Sequence, residues 1–264
     1  MNEFRLNPDT LQFGIVTPRP AECMACKTKG QLIESIPFKG EDIKVYEIKE
    51  RVQPSKYELK GKDFKSSPAH GYEEILVDQS SHGDKFYSYS VEDISKLLLI
   101  IKNRKTALSK YDFGENFIAT RYLQGHGYFD LMILPVPHNV YKKCIQCVNI
   151  ENVDGREIRR TENFIEYVPF FPIKEIEIDI SPIKHISFDA MDEVIAFDLA
   201  GMIANTLSKL KEKNMTLAIL EDKNKHFSVK ILPGELDAFS LLNIKELQVS
   251  PEAIAENLRK KIQV

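Results

Sequence analysis

The residues of this chain best suited to chemistry are its cysteines, which form two pairs of the same spacing, Cys23-x-x-Cys26 and Cys144-x-x-Cys147, with no others. A pair at this spacing can be a redox couple, two small core residues, or half of a metal site. The histidines favour the last. His82 and His126 follow the first pair, and His185 and His226 follow the second at similar intervals. Cys, Cys, His, His is a ligand set that zinc prefers, because two thiolates and two imidazoles fill a closed tetrahedron. Four protein ligands leave no open position, so the expectation is two structural zinc sites. Iron accepts the same ligand types and stays as the alternative.

The elements around these residues repeat as well. His126 opens GHGYFDLMILP (125–135), and His226 opens an echo of it in KHFSVKILP (225–233). In the first half, short strands are expected over 11–16 and 43–48, and the rest of 31–73, including 56–71, reads as irregular. A buried strand over 74–78 leads towards His82. Ser90, with Asp93 three residues on, caps an expected helix over 91–109 whose apolar positions Ile94, Leu97, Leu98 and Ile101 share a face. A strand over 116–123 follows. In the second half strands are expected over 163–168 and 175–180, then a helix over 190–211 and a strand over 215–220. Each half therefore reads Cys-x-x-Cys, strand, His, helix, strand, turn, His, strand, Ile-Leu-Pro. This order predicts a duplicated α+β protein with modules over 1–140 and 141–264, each an antiparallel sheet with its long helix packed on one face.

Composition narrows the function classes. A chain of 264 residues, 43% hydrophobic, can build a real core. Its 36 basic and 39 acidic residues give a net charge of -3, with no basic excess to neutralise a phosphate backbone, so nucleic acid is not expected as a partner. The start, MNEFRLNPDT, lacks a targeting pattern, and the longest apolar run, over 97–101, is far too short to span a bilayer. The expectation is a cytoplasmic protein with no membrane partner, whose thiols stay reduced.

Taken together, these motifs resemble the galactose-1-phosphate uridylyltransferases, which are two fused histidine-triad (HIT) modules. The match runs nearly the whole length. Cys23-Met-Ala-Cys26 sits where that family has its first cysteine pair. Glu74-Ile-Leu-Val-Asp78 with His82 is similar to its HEVIVE strand and metal-binding histidine, and His126 falls on the first His of its His-Pro-His-x-Gln motif. Glu162-Asn-Phe-Ile-Glu-Tyr-Val-Pro-Phe170, Pro182-Ile-Lys-His185 and the segment from Pro251 to Arg259 are similar to its second entry strand, its Pro-Lys-x-His turn and its closing helix. The resemblance implies a fold of two HIT-like modules. The partner to expect is a nucleotide or sugar phosphate, with a second copy of the chain in a homodimer.

The departures fall on the family's catalytic positions. The second His of its motif attacks the α-phosphate of a UDP-sugar; that position here is Tyr128, and the adjoining Gln is Asp130. The family's Gly- and Ser-rich phosphate loop is missing between Phe117 and His126, and His226-Phe-Ser228-Val-Lys230 keeps one His of the motif. No catalytic residue is therefore assigned. Arg121 is expected to pair with Asp130, and it is the one cation near enough in sequence to activate the Tyr128 phenol. His70 and His138 read as loop histidines, and Lys209 to Lys213 as a solvated helix end. The sequence favours a zinc-held binding protein over the alternative, a divergent nucleotidyltransferase or phosphohydrolase.

Overall fold

The computed structural model describes residues 2–17, 30–54, 60–62, 65–79, 86–108, 116–123, 127–134, 143–210, 214–221 and 226–262. In chain order the first half gives β1 (Glu3–Leu6), β2 (Phe13–Val16), β3 (Gln31–Phe38), β4 (Glu41–Ile48), β5 (Ser66–Pro68), β6 (Tyr72–Asp78), α1 (Val91–Leu108), β7 (Asn116–Tyr122) and β8 (Tyr128–Leu134). The second half gives α2 (Ile145–Glu151), β9 (Glu157–Arg160), β10 (Phe164–Tyr167), β11 (Ile178–Pro182), α3 (Glu193–Leu210), β12 (Met215–Glu221), β13 (Phe227–Pro233), α4 (Ala238–Leu241), β14 (Lys245–Leu247) and α5 (Pro251–Ile262).

Ten strands form one antiparallel sheet in the order β3-β4-β6-β8-β7-β12-β13-β11-β10-β9. The two sheets expected from the sequence thus meet edge to edge. Strand β7 pairs with β12, from Thr216 opposite Tyr122 to Glu221 opposite Phe117. Read outward from this seam, β7-β8-β6-β4-β3 is answered by β12-β13-β11-β10-β9. A smaller sheet, β14-β2-β1-β5, stands apart.

Strand periodicity assigns every side chain to one of two faces. On one face lie α1 and α3, whose residues Ile94, Leu97, Ile101, Leu199 and Ile203 join Leu76, Phe129, Leu131, Leu217 and Val229 in a single core. The other face is capped near the seam by Phe4 and Ile15 of the small sheet and by Phe239 of α4, packed on Ile118, Met132, Ala218 and Leu232. Fully burying a side chain such as Ile101 contributes about 1.5–3 kcal/mol, so the two helices fix the sheet that carries the histidines. Helix α1 starts in a reciprocal box: Asp93 N–H donates to Ser90 Oγ (3.1 Å), and Ser90 N–H donates to Asp93 Oδ2 (3.3 Å).

The expected boundaries shift where polar groups intervene. Asp192, whose Oδ1 accepts from Ile195 N–H at 2.9 Å, starts α3 later than expected. The strand expected over 175–180 is found at Ile178–Pro182, because Glu177 turns inward and its carboxylate accepts from Lys230 Nζ at 2.7 Å. The region expected to be irregular contains β3 and β5. Strand β3 is a sheet edge with mostly exposed residues, so it carries no alternation; Lys39 and Gly40, both at positive φ, form the two-residue turn that folds it onto β4.

Candidate metal centre

Side chains from three places converge in the second half. Cys144 is the N-cap of α2 and Cys147 lies in its first turn, His185 follows β11, and His226 immediately precedes β13. Their four ligand atoms lie within 4.8 Å of one another. His226 Nδ1 is 3.4 Å from Cys144 Sγ and 3.3 Å from Cys147 Sγ, and His185 Nδ1 is 3.2 Å from Cys147 Sγ. Zinc–sulfur and zinc–nitrogen bonds of ordinary length set a tetrahedral S···N edge of about 3.5 Å. The donors therefore fit one ion with only a small outward adjustment.

A backbone carbonyl orients the buried ligand. His226 Nε2 is 3.0 Å from Pro182 O, which can only accept, so Nε2 carries the proton and Nδ1 keeps its lone pair towards both sulfurs. Burial, and then Cys144 beside it, push the Cys147 thiol up to about 11. All four residues of the second predicted set are thus brought together. Cys23, Cys26, His82 and His126, the first set, lie outside the described residues, as does His138.

Tyr128 begins β8 on the face away from the long helices. It is half-buried and packs with Tyr46 over Ile48, Ile75 and Val77. Arg121 does not pair with Asp130: alternation puts its neighbour Thr120 opposite Asp130 and turns Arg121 to the helix side. There its guanidinium lies 4.7, 5.3 and 5.4 Å from the ring centres of Phe86, Tyr89 and Phe129. Burial lowers its pKa. The cation that sequence offered for activating the phenol is therefore on the other side of the sheet.

Asp130 is held instead by Arg51, which also binds Glu73, with Nε at 3.0 Å from Glu73 Oε1 and 3.2 Å from Oε2. Exposure is 7% for Arg51, 0% for Glu73 and 6% for Asp130, so one cation faces two carboxylates, all three buried. Burial, with help from Asp130, pushes Glu73 up to about 7 against the pull of Arg51, and burial raises Asp130 in the same way. Burial opposes the charge on Arg51, but its two partners outweigh that and raise its pKa. Asp130 Oδ1 has no hydrogen-bond partner, as expected of an acceptor in excess. Sequence reading missed Arg51 and Glu73; Arg51 stands 79 positions from Asp130. Strand β6 is wholly buried yet carries three acidic residues, Glu73, Glu74 and Asp78, so nothing in the sequence singled out Glu73 among them.

No protein-family model matches the chain. A galactose-1-phosphate uridylyltransferase of Thermotoga maritima is 24% identical over 221 residues, covering 71% of this chain and 68% of that one. A solved uridylyltransferase superposes with a TM-score of 0.66 at 20% identity, over 99% of this chain and 98% of its own. The chain has the uridylyltransferase fold. An ADP-glucose phosphorylase from Arabidopsis thaliana, solved with ADP-glucose bound, shares it with a TM-score of 0.61 at 18% identity, over 98% of each chain. The resemblance drawn from the motifs is borne out at this level.

Within the uridylyltransferase fold, Asp130 and Lys230 sit in one row across the seam, through Thr120 and Ala218. Both are neutralised locally. Lys230 Nζ lies 2.7 Å from Glu177 and 2.7–2.8 Å from both oxygens of Asp179. Burial pushes Asp179 up to about 6, against the pull of Lys230. Among the described residues, no helix is long and apolar enough to cross a membrane.

Proposed function

We propose that this chain binds a nucleotide or sugar phosphate on the Tyr128 side of its sheet, holds zinc as a structural ion, and forms no covalent nucleotidyl intermediate. The observation that carries the reading is Tyr128 itself. It stands where the family it resembles has an attacking imidazole, it is packed among Tyr46, Ile48, Ile75 and Val77, and the arginine nearest in sequence is committed to the opposite face. A phenol of ordinary pKa, about 10, is almost wholly protonated at neutral pH, whereas an imidazole there is largely unprotonated and attacks far more readily. The uridylyltransferase fold, shared with a relative solved with ADP-glucose, supports a phosphorylated ligand of this class.

Cys144, Cys147, His185 and His226 would hold zinc, a cross-link between α2 and the ends of β11 and β13 with every coordination position filled by protein. Cys23, Cys26, His82 and His126 make the equivalent set of the first module. The division into modules over 1–140 and 141–264, related by duplication, is supported by the mirrored strand order across the β7–β12 seam.

A thermal-shift series with UDP-glucose, ADP-glucose and galactose 1-phosphate tests the binding claim. A ligand at a hundred times its Kd stabilises the folded state by about 2.7 kcal/mol, so at least one member is expected to raise the midpoint by several degrees. No shift at millimolar concentration of any of them contradicts the reading.

A further inference from the structure

Helix α2 has no fully buried side chain from Ile145 to Glu151. A single helix of this length is unstable in water by itself, so its position must be imposed by contacts at its ends and along one side. Its C-terminal end is seated by Ile150 and Val153, which pack with Ile165, Tyr167 and Ile183. Its N-terminal end is placed by Cys144 and Cys147 against His185 and His226.

Between the two cysteines, Gln146 reaches down to the sheet. Its Nε2 donates to Ser228 Oγ at 3.2 Å, and its Oε1 accepts from Tyr167 O–H at 3.3 Å. The same phenol lies 3.4 Å from Ser181 Oγ, and Ser228, Tyr167 and Ser181 are all buried. Ser228 stands two residues after His226, as Tyr128 stands two residues after His126. In the second half, the counterpart of the Tyr128 position is therefore covered by the residue that the cysteine pair brackets.

We propose that α2 is a metal-latched plug: the ion held by Cys144, Cys147, His185 and His226 clamps Gln146 over Ser228 and closes the second half of the sheet to ligand, with Ile150 and Val153 as the hinge. The inference rests on the metal reading above. With the ion in place, the hydroxyls of Ser228 and Tyr167 find their partners in Gln146. Without it, the polar contacts that hold the helix down among the described residues are neutral hydrogen bonds, of Gln146 with Ser228 and Tyr167 and of Asn149 with Tyr167. Such bonds contribute about 0.5–1.5 kcal/mol each, too little to order seven residues.

Hydrogen exchange on the full chain, before and after treatment with a strong chelator, tests this, with metal content measured on the same samples. Loss of the ion is expected to raise amide exchange at least tenfold over 145–149 while leaving 164–167 and 227–233 unchanged. A lost ion with no change over 145–149 overturns the latch. A lost ion with equal acceleration across β10 and β13 also overturns it, since the metal would then hold the whole half. Protein that carries no metal as purified, and takes up no added zinc, fails the reading on which the latch rests. Gln146→Ala in metal-loaded protein supplies the second variant: 145–149 is expected to stay protected, and a tenfold loss of protection there would assign the hold to Gln146 and not to the ion.

Discussion

Replacing Arg51 by methionine is expected to lower the unfolding free energy by about 3–5 kcal/mol at pH 8, the usual cost of removing one partner from a buried ionic cluster. The loss should be much smaller at pH 5. Glu73 is raised to about 7, so its contribution is fully present below the ordinary carboxylate range and is lost as pH rises through about 7. Without Arg51, Glu73 and Asp130 lose the charge that pulls both down, so each takes up a proton more readily as pH falls and the unpaired charge is relieved. Glu73→Gln makes the complementary case, since it leaves one cation with one anion. It is expected to remove the part of the fall in stability between pH 5 and pH 8 that Glu73 causes. Asp179, raised to about 6, adds a fall of the same sign, and His70, which burial lowers, works in the other direction. The difference between variant and parent curves therefore isolates Glu73. Urea denaturation at pH 5 and 8 measures both, and an Arg51 loss of equal size at the two values contradicts the charge argument.

Stripping the metal should have the other large effect. Protein purified without added metal is expected to contain close to two zinc ions per chain, and Cys147→Ser to lose one of them. Structural zinc supplies on the order of 10 kcal/mol in peptides that have no other core. Here the second half also has a hydrophobic core, with Leu199, Ile203 and Val229 buried in it, so the expected loss is a part of that, several kcal/mol, read as a lower thermal midpoint. Elemental analysis decides the count. A value near one that Cys147→Ser abolishes would leave the second site alone, and a value near zero removes the metal account.

Much of this was legible because the chain says the important things twice. The cysteine pairs, the two histidines after each and the Ile-Leu-Pro endings pointed to the Cys/His cluster of the second half, and Ser90 with Asp93 to the start of α1. Helices were readable because Ile94, Leu97, Leu98 and Ile101 bury one stripe. Edge elements were not. Strands β3 and β9 turn mostly exposed residues outward, and α2 buries no side chain fully, so none carries a period to read. The pairing of Asp130 was misread for a related reason. Nearness in sequence suggested Arg121, but strand alternation separates the two across the sheet, and the true partner comes from a distant loop. Gln146 could not have been singled out either, since its role exists only once Ser228 and Tyr167 lie beneath it.

The central claim is that Tyr128 has taken the place of a nucleophile without taking its role. A phenol starts about three powers of ten behind an imidazole in the fraction ready to attack at pH 7. Incubating the protein with UDP-glucose radiolabelled in the uridylyl group, then denaturing it and counting the label that stays with the chain, tests the claim most directly. The account predicts background label only, including for any preparation whose thermal midpoint UDP-glucose raises. Stoichiometric label that survives denaturation and disappears in Tyr128→Phe would contradict it and make this chain a working nucleotidyltransferase.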